Sequence, residues 1–327
     1  MKTTIVSSNL VELLQARSEF EALGCALEYL PCTTEEELQQ ACHDSMGIIC
    51  CSESFTSAVI RQLRQCRVIS RHGIGTDSIY SVAATEAHIL VANVPDYGLD
   101  EVSDHAIALL LAAARNIARF HETIRDGGWE CREATPMLRL RGRQLGLVGF
   151  GRIGRLMAEK AQAFGLIVAA FDPYAAEAEA VRCGVRLVPF DELCAESDFV
   201  SLHAPLTVET RHLLGAAALA RMKPTAIVIN TSRGALIDQE VLVQALQNGK
   251  LAGCALDVFE QEPLAIDHPL RTMPQAVLTP HIAYYSEEAM ADLRQKVVRN
   301  VLDVLNGFWP ESVVNPNVKP RIPLQRR

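Results

Sequence analysis

Short apolar runs alternate with helically periodic segments along almost the whole of this chain. The runs are bounded by polar or glycine-containing stretches, which is typical of strands that are buried on both faces. In the segments between them, apolar residues recur every three or four positions, as on one face of a helix. Strands that alternate with helices predict parallel sheets covered by helices, so the pattern indicates an α/β protein.

The first third of the chain predicts one lobe of this kind. Strands are predicted at residues 4–7, 26–29, 47–51, 68–70 and 89–93, and helices at 11–23, 34–42, 57–65 and 81–87. Thr34 and Glu37 have the spacing of a capping box at the start of one helix. A long helical pattern over 100–124 follows. Its middle is apolar on most sides, so it has to be buried against a sheet or another subunit.

A second lobe is predicted after a loop at 126–141 that carries Gly127, Gly128, Trp129 and Pro136. Its strands are predicted at 145–148, 166–171, 185–188, 199–202, 226–230, 253–257 and 276–279, with helices at 191–196, 239–248 and 286–305. These strands form a doubly wound sheet in the predicted fold. The two lobes are therefore both Rossmann-like. Periodicity leaves open which lobe holds the last helix.

A glycine-rich turn follows the first strand of the second lobe. Gly149, Gly151 and Gly154 have the spacing G-x-G-x-x-G, and an apolar helical face comes directly after them. The first glycine permits a tight turn, the second lets the backbone approach a pyrophosphate, and the third lets helix and strand pack closely. The free N–H groups and positive dipole end of such a helix favour bound phosphate.

A carboxylate stands where the ribose of a dinucleotide is expected. Asp172 ends the second strand of this unit, near the usual spacing of about 20 residues after the glycines. Residues 173–179 contain no arginine or lysine that would accept a 2′-phosphate. Glycine turns alone are common, but a strand, turn, helix, strand and acid in this order predict NAD as the cofactor.

Composition and charge narrow the class of partner. Lys and Arg number 31 against 39 Asp and Glu, and the net charge is -8. No basic run follows a phosphate backbone, so nucleic acid is not expected as a partner. The longest apolar run, residues 106–114, is too short to cross a bilayer, and the start of the chain lacks a secretory apolar region. The ten cysteines are scattered without metal-ligand spacing, which favours free thiols in the cytoplasm and no metal site.

Two loops after later strands carry candidate catalytic side chains. Arg233 lies among small residues, and a guanidinium fork suits a substrate carboxylate, although a structural ion pair explains it equally well. His281 follows a strand at the carboxyl edge of the sheet, where ligands bind, and imidazole is the usual acid and base. Glu262 would orient that imidazole and stabilise its charged form. For both His281 and Glu262, a role without chemistry is the more common one at such positions.

A series of motifs between residues 68 and 306 assigns Arg233, Glu262 and His281 to one functional site. The motifs occupy residues 71–77, 91–95, 140–142, 149–154, 171–173, 203–207, 230–234, 255–260, 262–263 and 280–283. With this set, the chain resembles the D-isomer-specific 2-hydroxyacid dehydrogenase family. That family includes phosphoglycerate dehydrogenase, glyoxylate/hydroxypyruvate reductase and the C-terminal-binding-protein corepressors.

The resemblance implies roles for individual residues. Arg233 would hold the substrate carboxylate, His281 would be the acid and base, and Glu262 would pair with His281. The implied substrate-binding residues are Arg71, Gly73, Ile74, Gly75, Arg233 and His281, with Arg71 facing either a distal phosphate or solvent. The implied cofactor-binding residues are Gly149, Gly151, Arg152, Ile153, Gly154, Asp172, Pro173, His203, Ala204, Pro205, Thr231, Ser232, Arg233, Asp257, His281 and Ala283.

The resemblance also implies how the chain divides. Residues 1–98 and 284–327 would form a flavodoxin-like substrate domain, and residues 99–283 would form the inserted NAD-binding Rossmann domain. The long helix of this family usually crosses to a partner, so a homodimer is expected.

Three departures from the family pattern affect the substrate more than the reaction. Ser78 stands where asparagine is common, Tyr80 stands where an acid is frequent, and Ser103-Asp104-His105 replaces an Ala-Glu pattern.

The sequence thus predicts a cytoplasmic, NAD-dependent oxidoreductase that acts on a small D-2-hydroxy or 2-oxo acid. The alternative is an NAD(H)-sensing binding protein like the corepressors, which share the Arg/Glu/His set; the lack of long disordered extensions favours the enzyme. A formate dehydrogenase would carry glutamine in place of Glu262, and a phosphite dehydrogenase would carry lysine in place of Ile74. The physiological acid is not predicted.

Overall fold

The computed structural model describes residues 1–130 and 137–326. The chain divides into two compact units. Unit 1 contains Met1–Tyr97 and Ser286–Arg327, and unit 2 contains Gly98–Tyr285. Each unit is built on a parallel sheet with helices on its faces, which confirms the predicted α/β class.

Unit 1 has a five-stranded parallel sheet. The strands lie in the order β2-β1-β3-β4-β5, which is the flavodoxin-like order. Their bounds are β1 Lys2–Ile5, β2 Ala26–Tyr29, β3 Gly47–Cys50, β4 Val68–Arg71 and β5 Leu90–Ala92. The residues of β3 are all buried, as expected of a strand that is covered on both faces.

The helices of unit 1 follow the predicted pattern with one difference. Their bounds are α1 Arg17–Glu21, α2 Glu35–Cys42, α3 Ser57–Gln62, α4 Ser81–Glu86 and α12 Glu287–Leu305. The prediction of one helix over 11–23 is wrong, because Val11–Ala16 forms a 3-10 helix before α1 and Leu10 supplies no side-chain cap. The capping box of Thr34 and Glu37 is confirmed.

The last helix belongs to unit 1. Ser70 at the end of β4 donates its hydroxyl to Val297 O of α12 at 2.9 Å, and Asn300 donates to Asn93 O at 3.1 Å. A Cβ on Gly47 would lie 2.5 Å from Val301 Cγ1, so only glycine lets the helix pack this closely on β3. These contacts decide what periodicity left open.

Unit 2 has a seven-stranded parallel sheet in the order β12-β11-β10-β9-β6-β7-β8. The order reverses direction at β6, as in a doubly wound sheet, and ligands bind at the carboxyl ends of the strands beside such a point. The bounds are β6 Gln144–Val148, β7 Ile167–Phe171, β8 Arg186–Leu187, β9 Phe199–Leu202, β10 Ile227–Asn230, β11 Gly253–Leu256 and β12 Ala276–Leu278.

The long helical pattern between the predicted lobes is two helices rather than one. The helices of unit 2 are α5 Leu99–Ala114, α6 Ile117–Arg125, α7 Arg152–Ala163, α8 Glu177–Arg182, α9 Phe190–Glu196, α10 Ala216–Arg221 and α11 Gln239–Gln247. Asn116 adopts a left-handed backbone conformation with φ 50° and separates α5 from α6. The apolar face of α5 is buried in unit 2, in one cluster with Leu145, Met157 and Ile229. By contrast, α6 has no buried residue.

The loop predicted at 126–141 is described only in part. Trp129 is 89% exposed, whereas Pro136 and Cys131 lie outside the described residues. In the described ranges, no helix combines the length and the apolar character that a bilayer crossing requires. The nine cysteines in these ranges are free thiols, and no cluster of histidine, cysteine and acidic side chains there could hold a metal ion.

Candidate active site

The glycine-rich turn between β6 and α7 has the geometry of a dinucleotide site. Gly149 has φ +95°, and a Cβ there would lie 2.6 Å from Ala204 N. A Cβ on Gly154 would lie 2.4 Å from Gly149 O, so this glycine lets α7 pack against the turn. A Cβ on Gly151 would meet nothing within 4 Å. The backbone at Gly151 thus borders open space, as a turn that receives a pyrophosphate requires.

The start of α7 and the end of β7 complete this turn. Arg152 and Ile153 open α7, where backbone N–H groups have no partner inside the helix. Asp172 lies just beyond β7, followed by the exposed Pro173. Its carboxylate accepts hydrogen bonds from Phe150 N at 2.8 Å and Tyr174 N at 2.9 Å. These bonds hold the acid beside the glycine turn.

The loops after β9 and β10 meet at the same edge of the sheet. Ser232 donates its hydroxyl to Ala204 O at 2.7 Å, and His203 Nε2 lies 2.9 Å from Ser201 Oγ. Pro205 is exposed, whereas Ala204 is 8% exposed. Thr231 Oγ1 is buried and has no hydrogen-bond partner among residues 1–130 and 137–326. An unpartnered buried hydroxyl at the carboxyl end of β10 fits a site that receives a polar cofactor.

Arg233 lies in the tight turn that follows β10. Asn230 holds this turn closed, because its Nδ2 donates to Arg233 O at 2.8 Å and its Oδ1 accepts from Ser232 N at 3.0 Å. The next residue, Gly234, has no room for a side chain, since a Cβ would lie 1.9 Å from Phe259 C. The turn that carries Arg233 therefore packs backbone to backbone on the turn that leads to Glu262.

Glu262 and His281 form a direct pair. His281 Nδ1 lies 2.6 Å from Glu262 Oε2, and Glu262 Oε1 accepts from Phe259 N at 2.9 Å. Partial burial raises the pKa of Glu262, but the hydrogen bonds from His281 and Phe259, with the charges of His281 and Arg233, outweigh it and lower the pKa overall. Nδ1 is thus engaged with the carboxylate, and Nε2 is the ring nitrogen outside this pair.

A buried carboxylate organises the turn that carries His281. Asp257 is 0% exposed. Its Oδ1 accepts from Thr279 Oγ1 at 2.5 Å and from Ile282 N at 3.0 Å, and its Oδ2 accepts from Ala283 N at 2.9 Å. The family resemblance implies Asp257 as a cofactor contact. Because its oxygens are used inside the protein, we expect Asp257 to act through this turn rather than by touching the cofactor.

In unit 1, the loop after β4 is fixed at both ends. Arg71 Nε donates to Cys51 O at 3.2 Å, and Asn93 Nδ2 donates to Ile74 O at 2.7 Å. Gly73 has φ +135°, and a Cβ there would lie 1.6 Å from Arg71 Nη1. The guanidinium therefore lies directly against Gly73 and next to the loop that ends at Gly75.

His72, inside this loop, is a buried neutral imidazole. Desolvation lowers its pKa to about 4, and the charges of Arg71 and Arg294 contribute in the same direction. Its Nε2 has no hydrogen-bond partner within residues 1–130 and 137–326. At neutral pH the positive charge around this loop therefore comes from Arg71 and Arg294, and not from His72.

Several side chains that support the loops of the site were not predicted from the sequence. His105 on α5 lies with its Nε2 2.9 Å from Thr279 Oγ1 and 3.6 Å from Asp257 Oδ1. Asn230 and Asn93 each close one of the loops described above. The sequence does show the polar pair Asp104-His105 on an apolar helix and asparagines at strand ends. It does not indicate which residues these side chains contact.

The glycine turn and the acid that ends the second strand are the features of a dinucleotide-binding fold. Residues 107–283 match the profile of the D-isomer specific 2-hydroxyacid dehydrogenase, NAD binding domain. This match covers more than half of the chain, and the chain therefore belongs to the D-isomer-specific 2-hydroxyacid dehydrogenase family. A nicotinamide cofactor follows from this membership.

Individual relatives agree with this placement. The chain is 40% identical over 288 residues to D-3-phosphoglycerate dehydrogenase of Methanocaldococcus jannaschii, which covers 87% of this chain but 55% of that protein. It is 40% identical over 271 residues to glyoxylate reductase of Korarchaeum cryptofilum, covering 82% of this chain and 81% of that one. A crystal structure of a glyoxylate reductase from Paecilomyes thermophila superposes with a TM-score of 0.87 at 32% identity, over 96% of this chain and 98% of that one. The chain thus spans about half the length of the phosphoglycerate dehydrogenase.

Proposed function

We propose that this protein transfers a hydride between NAD and a small D-2-hydroxy acid or the matching 2-oxo acid. The observation that carries the proposal is the 2.6 Å contact between His281 Nδ1 and Glu262 Oε2, with Arg233 close enough to act on the same carboxylate. A guanidinium and an ionisable imidazole at one sheet edge are the groups that a 2-oxo acid needs, because its carboxylate requires a cation and its carbonyl oxygen requires a proton donor.

The residues of unit 2 would hold the cofactor in three places. The glycine turn and the start of α7, with Arg152 and Ile153, would take the pyrophosphate, and Asp172 would accept from the ribose hydroxyls. The loops of His203–Pro205, Thr231–Ser232 and Ala283 would border the remainder. When bound, the nicotinamide supplies or accepts the hydride.

The catalytic roles follow from the chemistry of each side chain. Arg233 would clamp the substrate carboxylate with two parallel hydrogen bonds, which fixes the orientation of the reacting carbon. Protonated His281 would donate from Nε2 to the carbonyl oxygen in reduction and would accept the proton in oxidation. Glu262 would stabilise the imidazolium and hold the ring in place.

In unit 1, the loop after β4 carries the other residues proposed for substrate binding. The backbone N–H groups of Ile74 and Gly75 would bind the substrate carboxylate, whereas the N–H of Gly73, which the resemblance also implies, already donates to Arg71 O at 3.0 Å. Arg71 would meet the distal end of the substrate, where its charge favours a phosphate or a second carboxylate. The supporting observation is the contact of its guanidinium with Gly73.

The binding-protein alternative is less well supported. The relatives described above carry the names of a dehydrogenase and of reductases, whereas the Glu262–His281 contact is compatible with both alternatives. Initial rates test the choice directly. With NADH, we expect turnover on at least one of glyoxylate, hydroxypyruvate, phosphohydroxypyruvate, pyruvate and longer 2-oxo acids. No turnover on this whole set would favour the binding protein.

The same assay tests the choice between NAD and NADP. Asp172 would repel a 2′-phosphate, and the backbone bonds from Phe150 and Tyr174 hold the carboxylate in place. We therefore expect kcat/KM to be clearly higher with NADH than with NADPH. Equal values for the two cofactors would contradict the role proposed for Asp172.

A homodimer is part of the proposal. The apolar face of α5 is buried inside unit 2, so it no longer supports an interface. Support comes instead from α6 and the loop after it, where Ile117, Ile124 and Trp129 are 57%, 52% and 89% exposed. Light scattering at micromolar concentration should give the mass of two chains.

Replacing Glu262 by glutamine should change the pH dependence of turnover. In wild type, the carboxylate is ionised because its pKa is lowered, and its charge stabilises the imidazolium of His281. The neutral amide removes this support, so the imidazolium of His281 loses its charged partner. We expect the alkaline limb of the kcat profile for reduction to move to lower pH, with a milder loss of rate near pH 6 than near pH 8. An unmoved limb would show that the pair does not act in catalysis.

A further inference from the structure

A second histidine–carboxylate pair lies close to Glu262 in the chain. His212 Nε2 is 2.7 Å from Glu260 Oε1, and the two side chains are 39% and 32% exposed. Asp238 is the other charged group at this imidazole, with its Oδ2 3.9 Å from His212 Nδ1. Ion pairs as exposed as this one contribute little to stability. We therefore consider how this pair affects the position of the loops that it joins.

Glu260 is also held from a second side. Its Oε1 accepts from Gln239 N at 3.3 Å, and its own N donates to Gln239 Oε1 at 3.2 Å. Gln239 is the first residue of α11, which follows the turn that carries Arg233. His212 is tied to the same turn, because its N donates to Ala235 O at 2.8 Å. Glu260 thus joins three segments: the loop after β9, the turn of Arg233 and the turn of Glu262.

The position of Glu260 bears directly on Glu262. The preceding residue, Phe259, donates its N to Glu262 Oε1 at 2.9 Å. Its backbone also faces Gly234 so closely that no side chain fits between them. A shift of the backbone at Glu260 would therefore displace the donor that fixes one carboxylate oxygen of Glu262. The other oxygen is the one that contacts His281.

We propose that His212 is a positioning residue for the Glu262–His281 pair, acting through Glu260. The imidazole fixes Glu260 against the turn of Arg233 and so sets the place of the carboxylate that supports His281. This role rests on the proposed dehydrogenase function. It does not require His212 to touch substrate or cofactor.

Two substitutions separate the hydrogen bond from the backbone conformation. His212 has φ 52°, a left-handed conformation that asparagine tolerates well. His212→Asn therefore keeps the backbone but is too short to reach Glu260 Oε1. His212→Gln places an amide donor near the position of the histidine Nε2 and restores the contact without charge. His88→Asn is the matched control, because His88 is an exposed histidine of unit 1 with φ 60°.

Kinetics should distinguish positioning from loss of stability. In His212→Asn we expect kcat to fall roughly 10-fold, less than the 10²-fold effect of a misplacement of about 1 Å, with KM for NADH unchanged. The groups that face His281 are Glu262 at Nδ1, Arg233 acting on Glu262, and Tyr284, whose ring lies edge-on at 6.3 Å. The alkaline limb of kcat should move to lower pH, because Glu262 loses its place while the identity of all these groups is unchanged. His212→Gln and His88→Asn should behave like wild type.

Hydrogen exchange tests the same proposal without turnover. Amide exchange over residues 258–263 should be faster in His212→Asn than in wild type and should return to the wild-type rate in His212→Gln. An unmoved kcat limb in His212→Asn, unchanged exchange in this segment, or equal defects in the Asn and Gln variants would each overturn the proposal. A wild-type protein without turnover on any 2-oxo acid would instead refute the proposed function, and the exchange result would still decide whether His212 holds the loop.

Discussion

His281→Ala should lower kcat by roughly 10²- to 10⁴-fold, the range found when a positioned general acid or base is removed. The imidazole Nδ1 is engaged with Glu262, so Nε2 is the only nitrogen of this ring left to exchange a proton with a substrate oxygen. Affinity for NADH should change little, because the pyrophosphate and ribose contacts proposed above lie on the glycine turn and Asp172. The measurement is steady-state kcat on the best 2-oxo acid of the rate panel, with NADH affinity from a fluorescence titration.

A matched control variant tests whether the loss of any histidine lowers kcat. His43 is an exposed histidine of unit 1 that lies 3.6 Å from Asp44 and has no part in the site, so His43→Ala should keep the wild-type kcat. Near-normal turnover in His281→Ala would remove the proton donor from the mechanism and would leave the binding-protein alternative as the stronger one.

Arg233→Ala should lower kcat/KM by roughly 10²- to 10⁴-fold, since truncating one partner of a desolvated ion pair typically costs about 3–5 kcal/mol. The loss should appear in both KM for the 2-oxo acid and kcat, because in the proposed mechanism the guanidinium would bind the carboxylate and orient the reacting carbon. Arg233→Lys should recover little, because an ammonium is a point charge and cannot reproduce the planar fork. Initial rates over a wide range of substrate concentration measure both parameters.

The control for this series is another arginine of unit 2. Arg221 lies in α10 and pairs with Asp191 at 3.4 Å on the surface, so Arg221→Ala should leave both parameters as in wild type. Full recovery of kcat/KM in Arg233→Lys would show that charge alone is needed and would contradict bidentate binding of the carboxylate.

The dinucleotide turn could be predicted from the sequence because its requirements are local. Gly149 needs a positive φ and Gly154 needs close contact with Gly149 O, and both demands are met by residues within one short segment. Asp172 was predictable for the same reason, since the strand and turn that place it follow directly in the chain. The order of strand, turn, helix and strand then leaves one common fold for the unit.

The long helical pattern over 100–124 shows what periodicity alone cannot predict. Periodicity predicts burial of 100–124 as one element, but Asn116 turns the backbone left-handed and α6 continues without a buried face. The partner of α5 was also undetermined, because an apolar face is satisfied equally by a sheet of the same chain or by another subunit. Packing against α7 and β10 within unit 2 decides this.

For the candidate catalytic pair, too, the sequence determines the residues and the tertiary structure determines their contacts. Sequence alone determined the α/β class, the glycine turn and the presence of Arg233, Glu262 and His281 at strand ends, because residue type and spacing along the chain specify them. Only the tertiary structure brought Glu262 Oε2 to 2.6 Å from His281 Nδ1 and joined His105 and Thr279 to the buried Asp257. These contacts join residues far apart in the sequence, so they depend on strand order and on the close approach of Gly234 to Phe259, which no local pattern encodes.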